Sequence, residues 1–341
     1  MKRLLNNLVA LAMVTCVTTI ATTSTAQTAT RPEGVTIGYL NLVNAQLLSK
    51  ALGYHEKAMG VPVKWVRFDT GGQVNNAFAA KQLDFGSMGN PPAATGVSRD
   101  MPYQAVVVLN MLESVEGLVV KADKNIQSPK DLVGKRFAMP FGSTAYYVSM
   151  SMLRDAKIDP ASVTLVDMNP ADALEAWKRG DIDAAYVWEP SLDKMVTSGG
   201  RMLVDSKEMG ARGLATWDIS AVTTSFAQNH PALVKAFVQS ECAAIDFWIR
   251  DPEAAAVLVA RELSIPLADA KRMMKGTGMV PCTQQTGPNY FGTTAAKGRF
   301  ADSLVDIAAF FKSTGRLTSI KDREAYADFI NPSYLEQLNA R

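Results

Sequence analysis

The segment FAMPFGSTAYY, residues 137–147, places a turn and two hydroxyl residues between an apolar run and a stretch that can form a helix. A helix N-terminus has unpaired backbone N–H groups and a partial positive charge, and Gly142 lets the backbone approach a ligand closely. Ser143 and Thr144 add hydroxyl donors, so the turn suits a small tetrahedral anion such as sulfonate, phosphate or sulfate. Ser and Thr before a helix are also common N-caps, and spacing alone favours that simpler role.

Three further side chains have the chemistry to bind the cationic end of a ligand. Trp188 in YVWEP follows a predicted strand, where it either packs in the core or stacks on a cation. Glu116 in SVEGLVV and Asp218 in TWDIS each interrupt apolar sequence. Taken singly, each carboxylate is explained by a partner within the protein, because buried carboxylates are usually paired.

No catalytic or metal-binding motif competes with these residues. The sequence has no GxSxG, GxxxxGK[ST] or HExxH pattern. The DTGG at 69–72 resembles an aspartic-protease tripeptide, but proteases of that class need paired carboxylates on a β-rich fold. His55 and His230 lie in polar, helix-like contexts, which predicts surface or capping positions and leaves too few ligands for a His/Cys metal site.

The first 26 residues have the pattern of a secretory signal peptide. Lys2 and Arg3 precede an apolar stretch and then small residues, with cleavage expected after Ala26. A membrane anchor is the alternative, although the apolar core is short for one. Cleavage would lower the formal charge from +2 to 0, because it removes two basic residues and no acidic one. A neutral mature chain without a basic run gives no support for nucleic-acid binding.

The mature chain would keep two cysteines, Cys242 and Cys282. Export to an oxidising compartment makes a disulfide between them chemically possible. Sequence alone does not show whether their Cβ atoms meet, so the bonded and free forms both stay open.

From residue 34 onward, predicted strands and helices alternate, so we expect an α/β protein built from βαβ units. The 341 residues are enough for two domains of ordinary size. Uninterrupted apolar stretches of eighteen residues are absent, which predicts no spanning helix in the mature chain.

A faint internal repeat suggests two similar halves. KQLDFGSMGNPPA and RGDIDAAYVWEPSL both run from a helix end through Asp84 or Asp183 and a strand to a proline. The alignment matches Gly89-Asn90 with Trp188-Glu189, at the carboxyl ends of the strands, where open α/β sheets bind ligands. The repeat is short enough to arise by chance, so it supports the site only together with other features.

Together these features resemble the periplasmic taurine-binding proteins of ABC importers. The resemblance covers roughly residues 34–245 and, more loosely, the remainder; its segments are FDTGGQVNNAFAAKQLDFGSMGNPP, PKDLVGKRFAMPFGSTAYY, AWKRGDIDAAYVWEP and FAQNHPALVKAF. KRGDIDAAYVWEP with PFGSTAYY is fairly specific for the taurine and alkanesulfonate branch. The resemblance implies a type II periplasmic-binding-protein fold, in which two α/β lobes close on a ligand by hinge motion.

The resemblance also implies domain limits and partners. The expected partners are taurine or a related small sulfonate and an ABC importer permease, with a monomeric protein in the periplasm and no cofactor. The expected limits are a signal peptide at 1–26, a first lobe at 34–115 plus 222–341, a second lobe at 116–221, and crossing segments near 113–120 and 216–224.

Taurine has a sulfonate at one end and an ammonium at the other, and the resemblance assigns residues to each end. Ser143 and Thr144, with their backbone amides, would donate to the sulfonate, and Tyr147 would form a nearby wall. Glu116 and Asp218 match acidic residues of the family and would hold the ammonium. Loss of whichever carboxylate is the buried partner is expected to weaken taurine binding by about 3–5 kcal/mol.

The rest of the predicted site includes two departures from the family pattern. Trp188 would pack over the two-carbon chain, and Gly89 and Asn90 would supply first-lobe contacts. Asn41 is a candidate contact in the turn Asn41–Asn44, but the leucines of YLNLVNAQLL make that wall more apolar than expected. Glu189 stands where the family often has a small residue, so it either faces solvent at the rim or adds a negative charge for a more cationic ligand.

Two other classes of function are alternatives to taurine binding. An enzyme of the same superfamily, such as its pyrimidine-synthesis relatives, needs catalytic His or Lys groups in the cleft, and both histidines lie outside the candidate strands. A binding protein for an aromatic carboxylate, sulfate ester or nitrate would have a purely anionic ligand, which two carboxylates disfavour. Within the binding role, the alternative ligands are another aminosulfonate, an alkanesulfonate or another small organic anion.

Overall fold

The computed structural model describes residues 31–340, which form two mixed α/β sheets with helices packed around them. The predicted signal peptide lies outside the described residues. Within them, no helix combines the length and the hydropathy that a membrane crossing requires.

The elements follow each other in the alternating order that the sequence predicts. The strands are β1 Val35–Leu40, β2 Val63–Phe68, β3 Phe85–Gly89, β4 Tyr103–Leu112, β5 Glu116–Lys121, β6 Arg136–Met139, β7 Thr164–Asp167, β8 Ala184–Trp188, β9 Gly200–Asp205, β10 Thr216–Thr223 and β11 Thr277–Gly278. The helices are α1 Ala45–Leu52, α2 Tyr54–Met59, α3 Gly71–Ala79, α4 Asn90–Ser98, α5 Thr144–Asp155, α6 Pro170–Arg179, α7 Ser191–Thr197, α8 Ser206–Ala211, α9 Thr224–Asn229, α10 Pro231–Arg250, α11 Pro252–Leu263, α12 Leu267–Lys275, α13 Cys282–Gln285, α14 Arg299–Ser313, α15 Arg323–Asp328 and α16 Ser333–Asn339.

The two sheets share one plan. The first has the order β11-β4-β10-β3-β1-β2, and the second has the order β7-β6-β8-β5-β9. In the first, β1 runs parallel to β2 and β3, while β10 runs antiparallel to β3 and β4. In the second, β6 runs parallel to β7 and β8, while β5 runs antiparallel to β8 and β9. The predicted two-lobed α/β fold is confirmed.

The chain passes between the sheets in two short segments. They are residues 113–115, between β4 and β5, and residues 212–215, between α8 and β10. Because β10 pairs with β3 and β4, Asp218 lies in the first sheet, opposite Gly89. All of β10 therefore belongs to the first sheet, although the predicted second lobe extends to residue 221 and would include most of this strand.

The repeat in the sequence corresponds to the same type of side-chain to backbone hydrogen bond in both sheets. The Asp84 carboxylate accepts the N–H of Thr36 at 2.8 Å, and the Asp183 carboxylate accepts the N–H of Arg136 at 2.9 Å. In each half, the aspartate before the central strand binds the neighbouring parallel strand, β1 or β6. This fixes the register of β3 and β8, whose carboxyl ends face the region between the sheets.

The surface position predicted for His55 is wrong. Its side chain is 0% exposed, its Nε2 atom lies 3.2 Å from Glu241 Oε1, and its ring stacks on Phe237 at 4.6 Å. Gly53, whose φ is 61°, ends α1, and α2 then packs on α10. His230 lies at a helix boundary as predicted, between α9 and α10.

The two cysteines form a disulfide, which settles the alternative that the sequence left open. Cys242 in α10 and Cys282 in α13 have Cα atoms 5.7 Å apart. The bond joins the segment after β11 to the long helix that packs on the first sheet.

Candidate ligand-binding site

A small cavity lies where the carboxyl end of the first sheet meets the N-terminus of α5. The structure brings five of the predicted site residues to this main cavity: Gly89, Ser143, Thr144, Trp188 and Asp218. The remaining lining consists of Leu40, Leu42, Gly71, Pro92 and Leu112. Two lobes thus contribute to one small, mainly apolar chamber with a few polar groups, as is typical of ligand sites.

At the predicted anion seat, the free donors are backbone amides rather than hydroxyl groups. Ser143 is the N-cap of α5: its Oγ accepts from Tyr146 N at 3.2 Å and donates to Pro140 O at 2.6 Å. Thr144 Oγ1 donates to Glu116. The N–H groups of Thr144 and Ala145, in contrast, donate to no acceptor among the described residues. Two free amides at the positive end of a 12-residue helix are therefore the donors available to an anion.

Glu116 lies behind Thr144 and does not line the main cavity. Its carboxylate is 0% exposed and accepts hydrogen bonds from the hydroxyls of Thr144, Ser206 at 2.7 Å and Thr216 at 3.3 Å. Burial raises the pKa of Glu116 to about 7, against the opposing effect of the three hydroxyls. In this arrangement Glu116 orients Thr144, and with it the first turn of α5.

Asp218 is the ionisable side chain that the main cavity exposes to a ligand. It is 2% exposed, and its Oδ2 accepts from Asn110 Nδ2 at 3.3 Å, while Oδ1 accepts no hydrogen bond from the described residues. Burial raises the pKa of Asp218 to about 7, and the negative charge of Glu116 adds to this rise. A buried carboxylate with a free oxygen is suited to pair with a cation.

Three predicted residues besides Glu116 lie away from the main cavity. Asn90 is buried, and its amide group bridges backbone, donating to Ala215 O at 3.2 Å and accepting from Trp217 N at 3.1 Å. Tyr147 packs edge-on against Phe310 at 5.4 Å. Asn41 lines a neighbouring cavity instead. Asn90 therefore holds β10 beside β3, and Tyr147 seals the seam between the lobes.

The neighbouring cavity that Asn41 lines is called the acidic cavity. It adjoins the main cavity, and Trp188 lines both. Its carboxylates are Asp69, Asp172, Glu175 and Glu189, and its cations are Arg67 and Lys194. Glu189 is buried, and its Oε2 accepts from Asp193 N at 2.9 Å. Burial raises the pKa of Glu189 to about 7. The residue is thus not a solvated rim group, the simpler of its two predicted roles.

Several residues of the site had no signal in the sequence. Ser206 and Thr216, which bind Glu116, lie far from it in the chain and become neighbours only through the two sheets. Leu112 ends a buried strand, and Gly71 and Pro92 begin helices, positions that local sequence explains without a ligand. In the described part of the chain, no cluster of three His, Cys, Asp or Glu side chains is arranged to hold a metal ion.

Comparison with known proteins gives this arrangement a family. A family model described as NMT1/THI5 like matches residues 44–255. The taurine-binding periplasmic protein of Escherichia coli K12 is 31% identical over 309 residues, which are 89% of this chain and 92% of that protein. The chain belongs to the taurine- and sulfonate-binding family of solute-binding proteins.

Two other proteins similar to this chain share less of its sequence. A putative aliphatic sulfonates-binding protein of Bacillus subtilis 168 is 27% identical over 209 residues, 60% of this chain and 62% of that protein. The alkanesulfonate-binding protein of Xanthomonas axonopodis pv. citri, solved bound to MOPS, superposes with a TM-score of 0.75 at 20% identity, over 89% of this chain and 100% of that chain. The latter likeness shows the fold.

The same fold also occurs in an enzyme. The desulfurization enzyme DszB, solved as a point mutant in complex with biphenyl-2-sulfinic acid, superposes with a TM-score of 0.65 at 17% identity, over 90% of this chain and 99% of that chain. Fold alone therefore does not separate binding from catalysis. Membership of the taurine- and sulfonate-binding family makes this chain a sulfonate-type solute-binding protein of an ABC importer.

Proposed function

We propose that this protein captures taurine in the periplasm and delivers it to an importer permease by closing its two lobes. One observation carries the proposal: the N-terminus of α5, where the amides of Thr144 and Ala145 are free, and the buried carboxylate of Asp218, which has a free oxygen, meet at a single small cavity. An anion suits the first and a cation suits the second. A compact zwitterion satisfies both at once.

The proposed pose follows from these groups. The sulfonate accepts from the amides of Thr144 and Ala145 at the N-terminus of α5, and the ammonium donates to Asp218. The two carbons between them lie against Trp188 and the leucines of the first lobe. Ser143 and Glu116 act through the first turn of α5, because their own hydrogen bonds are already made within the protein.

Selectivity follows from the cost of an unpaired buried charge. An alkanesulfonate without an amine leaves Asp218 unsatisfied, so it is expected to bind less tightly than taurine. Sulfate has no cationic end and meets the same penalty. A longer aminosulfonate is the second candidate, because Trp188 connects the main cavity to the acidic cavity.

The expected cellular role rests on export and on relatives. The E. coli relative is a periplasmic protein, and residues 1–26 have the pattern of a cleaved signal peptide. A zwitterion held between two lobes is released when they reopen. Capture and delivery therefore need a permease partner but no chemical conversion of the ligand. The buried carboxylate of the main cavity, Asp218, serves binding in this proposal.

A thermal-shift panel tests the ligand class. A ligand that binds only the folded chain raises the melting temperature, so taurine is expected to give the largest shift, other aminosulfonates a smaller one, and alkanesulfonates, sulfate and amino acids little or none. Incubation with each sulfonate and analysis for products separates binding from catalysis. No shift with any sulfonate would contradict the proposal.

Stability and affinity are expected to respond to pH in opposite directions. The pKa values of Glu116 and Asp218 rise from 4.5 and 3.8 to about 7 on folding. An acid whose pKa is raised by folding stabilises the fold at low pH, and that stability is lost as the pH rises from the unfolded pKa to the folded pKa. The melting temperature without ligand should therefore fall between about pH 4 and about pH 7. Taurine affinity should rise over about pH 6 to 8, because the ammonium needs ionised Asp218.

Calorimetry across this pH range measures the affinity, and Glu116→Gln is the informative variant. It removes a charge that raises the pKa of Asp218, so the rise in affinity should move to lower pH. Affinity that stays constant across the range in the unmodified protein would show that Asp218 does not exchange a proton on binding.

A further inference from the structure

Two cavities of opposite charge adjoin the main cavity. The acidic cavity shares the lining residue Trp188 with it. A second neighbouring space, the basic cavity, shares Pro92 with it and borders the turn before α5. Among the described residues, the charged lining of the basic cavity consists of Arg99 and Arg316, without a carboxylate. Neither arginine has a carboxylate within 4.0 Å among the described residues, so their charges are not neutralised by the protein.

Arg316 reaches across the seam between the lobes. It follows α14, which packs on the first lobe, yet its guanidinium lies 4.7 Å from the ring centre of Tyr146 and 5.5 Å from that of Phe141 in the second lobe. One guanidinium nitrogen would be 3.6 Å from a Cβ atom built on Gly142. A cation is thus held by two aromatic rings directly beside the turn that begins α5.

This position is electrostatically unfavourable in the absence of an anion. The N-terminus of α5 carries a partial positive charge and two unpaired amides, which disfavour a guanidinium nearby. An anion bound to those amides reverses the sign of the local field. The stacking of Arg316 should therefore be more stable when the site holds an anion than when it is empty.

We propose that Arg316 is a positioning residue that links anion binding to lobe closure, by stacking on Phe141 and Tyr146 once a sulfonate occupies the N-terminus of α5. The inference rests on the proposed function, since it takes a sulfonate as the anion. It also gives the cleft a direction: the anionic end of the ligand faces the basic cavity and the cationic end faces the acidic cavity.

Arg154 provides a matched control within the same seam. Its guanidinium also stacks across the lobes, 5.2 Å from the ring centre of Phe310. It lies in the last turn of α5, where a cation complements the helix dipole, and it pairs with Asp155 at 3.0 Å. Loss of this stacking should weaken closure to an extent that does not depend on the charge of the ligand.

The test is the taurine dissociation constant by calorimetry at about 20 and about 300 mM NaCl, for the full mature chain and its variants. Arg316→Gln is expected to weaken taurine binding by about five- to ten-fold at low salt. It should also make the dissociation constant less dependent on salt, because the positive charge of Arg316, which salt screens, has been removed. Arg316→Lys should keep the salt dependence with a smaller loss, since it retains charge but stacks less well. Arg154→Gln should keep the salt dependence of the unmodified protein.

The outcomes are distinguishable from failure of the proposed function. If the unmodified protein binds no sulfonate, the proposed function itself fails. If it binds taurine, and Arg316→Gln shows an unchanged dissociation constant and salt dependence, only the role of Arg316 is overturned. An equal loss of salt dependence in Arg154→Gln would also overturn it, because any cation that stacks across the two lobes would then have the same effect. Melting temperatures without ligand should be unchanged in the Arg316 variants, which excludes a general loss of folding.

Discussion

Asp218→Asn is expected to weaken taurine binding by about 3–5 kcal/mol, a loss of roughly two to four orders of magnitude in affinity at about pH 8. The replacement keeps the shape of the side chain and can still accept from Asn110. It removes the negative charge that faces the main cavity, so the ammonium is left buried without a counter-ion. Calorimetry on the variant measures the loss directly.

Folding should not suffer, which separates this effect from simple damage. The raised pKa of Asp218 shows that its charge opposes folding near neutral pH, so the variant should melt at an equal or higher temperature without ligand. The control is Glu189→Gln, which removes another buried carboxylate whose pKa is about 7 but which lines the acidic cavity. Near-normal binding by Asp218→Asn, with a large loss in Glu189→Gln, would move the ammonium to the acidic cavity.

Features that depend on neighbouring residues could be predicted from the sequence, whereas features that depend on the packing of distant elements could not. Apolar periodicity, helix caps and prolines predicted most strands and helices, because those signals act over neighbouring residues. The turn before α5 was likewise predictable as a helix N-terminus capped by Ser143 from its own residues. Which hydroxyl is free and which is already bound was not, since Thr144 meets Glu116 only after β5 and α5 pack together.

Glu116 and Asp218 illustrate the same limit. Both interrupt apolar runs, and the resemblance to the taurine-binding family assigned both to the ammonium. The fold gives them different surroundings: three hydroxyls from distant segments surround Glu116, whereas Asp218 is left with a free oxygen at the cavity. Burial and partners are properties of the packed sheets, so a pattern along the chain does not determine them. The burial of His55 was missed for this reason also.

Gly89→Ala is expected to impair binding by obstructing closure of the lobes. A Cβ atom at Gly89 would lie 2.6 Å from the γ-methyl carbon of Thr144, which belongs to the opposite lobe. The backbone of Gly89 has φ −72° and ψ 163°, which alanine adopts without strain, so the clash is purely between lobes. Overpacking of this kind costs about 1–3 kcal/mol, roughly 5- to 150-fold in taurine affinity. The melting temperature without ligand should stay close to that of the unmodified protein if the open form predominates.

A second substitution should reverse the first. Thr144→Ser removes the γ-methyl group and keeps the hydroxyl that donates to Glu116, so Gly89→Ala with Thr144→Ser should regain most of the lost affinity. Thr144→Ser alone should bind nearly normally. The double-mutant cycle then gives a coupling energy close to the whole cost of Gly89→Ala, as expected for two groups in direct contact. Additive effects would show that Gly89 and Thr144 do not meet in the bound form, and that closure brings the lobes together elsewhere. Small-angle scattering with and without taurine would decide this, because only a variant that closes becomes more compact on adding ligand.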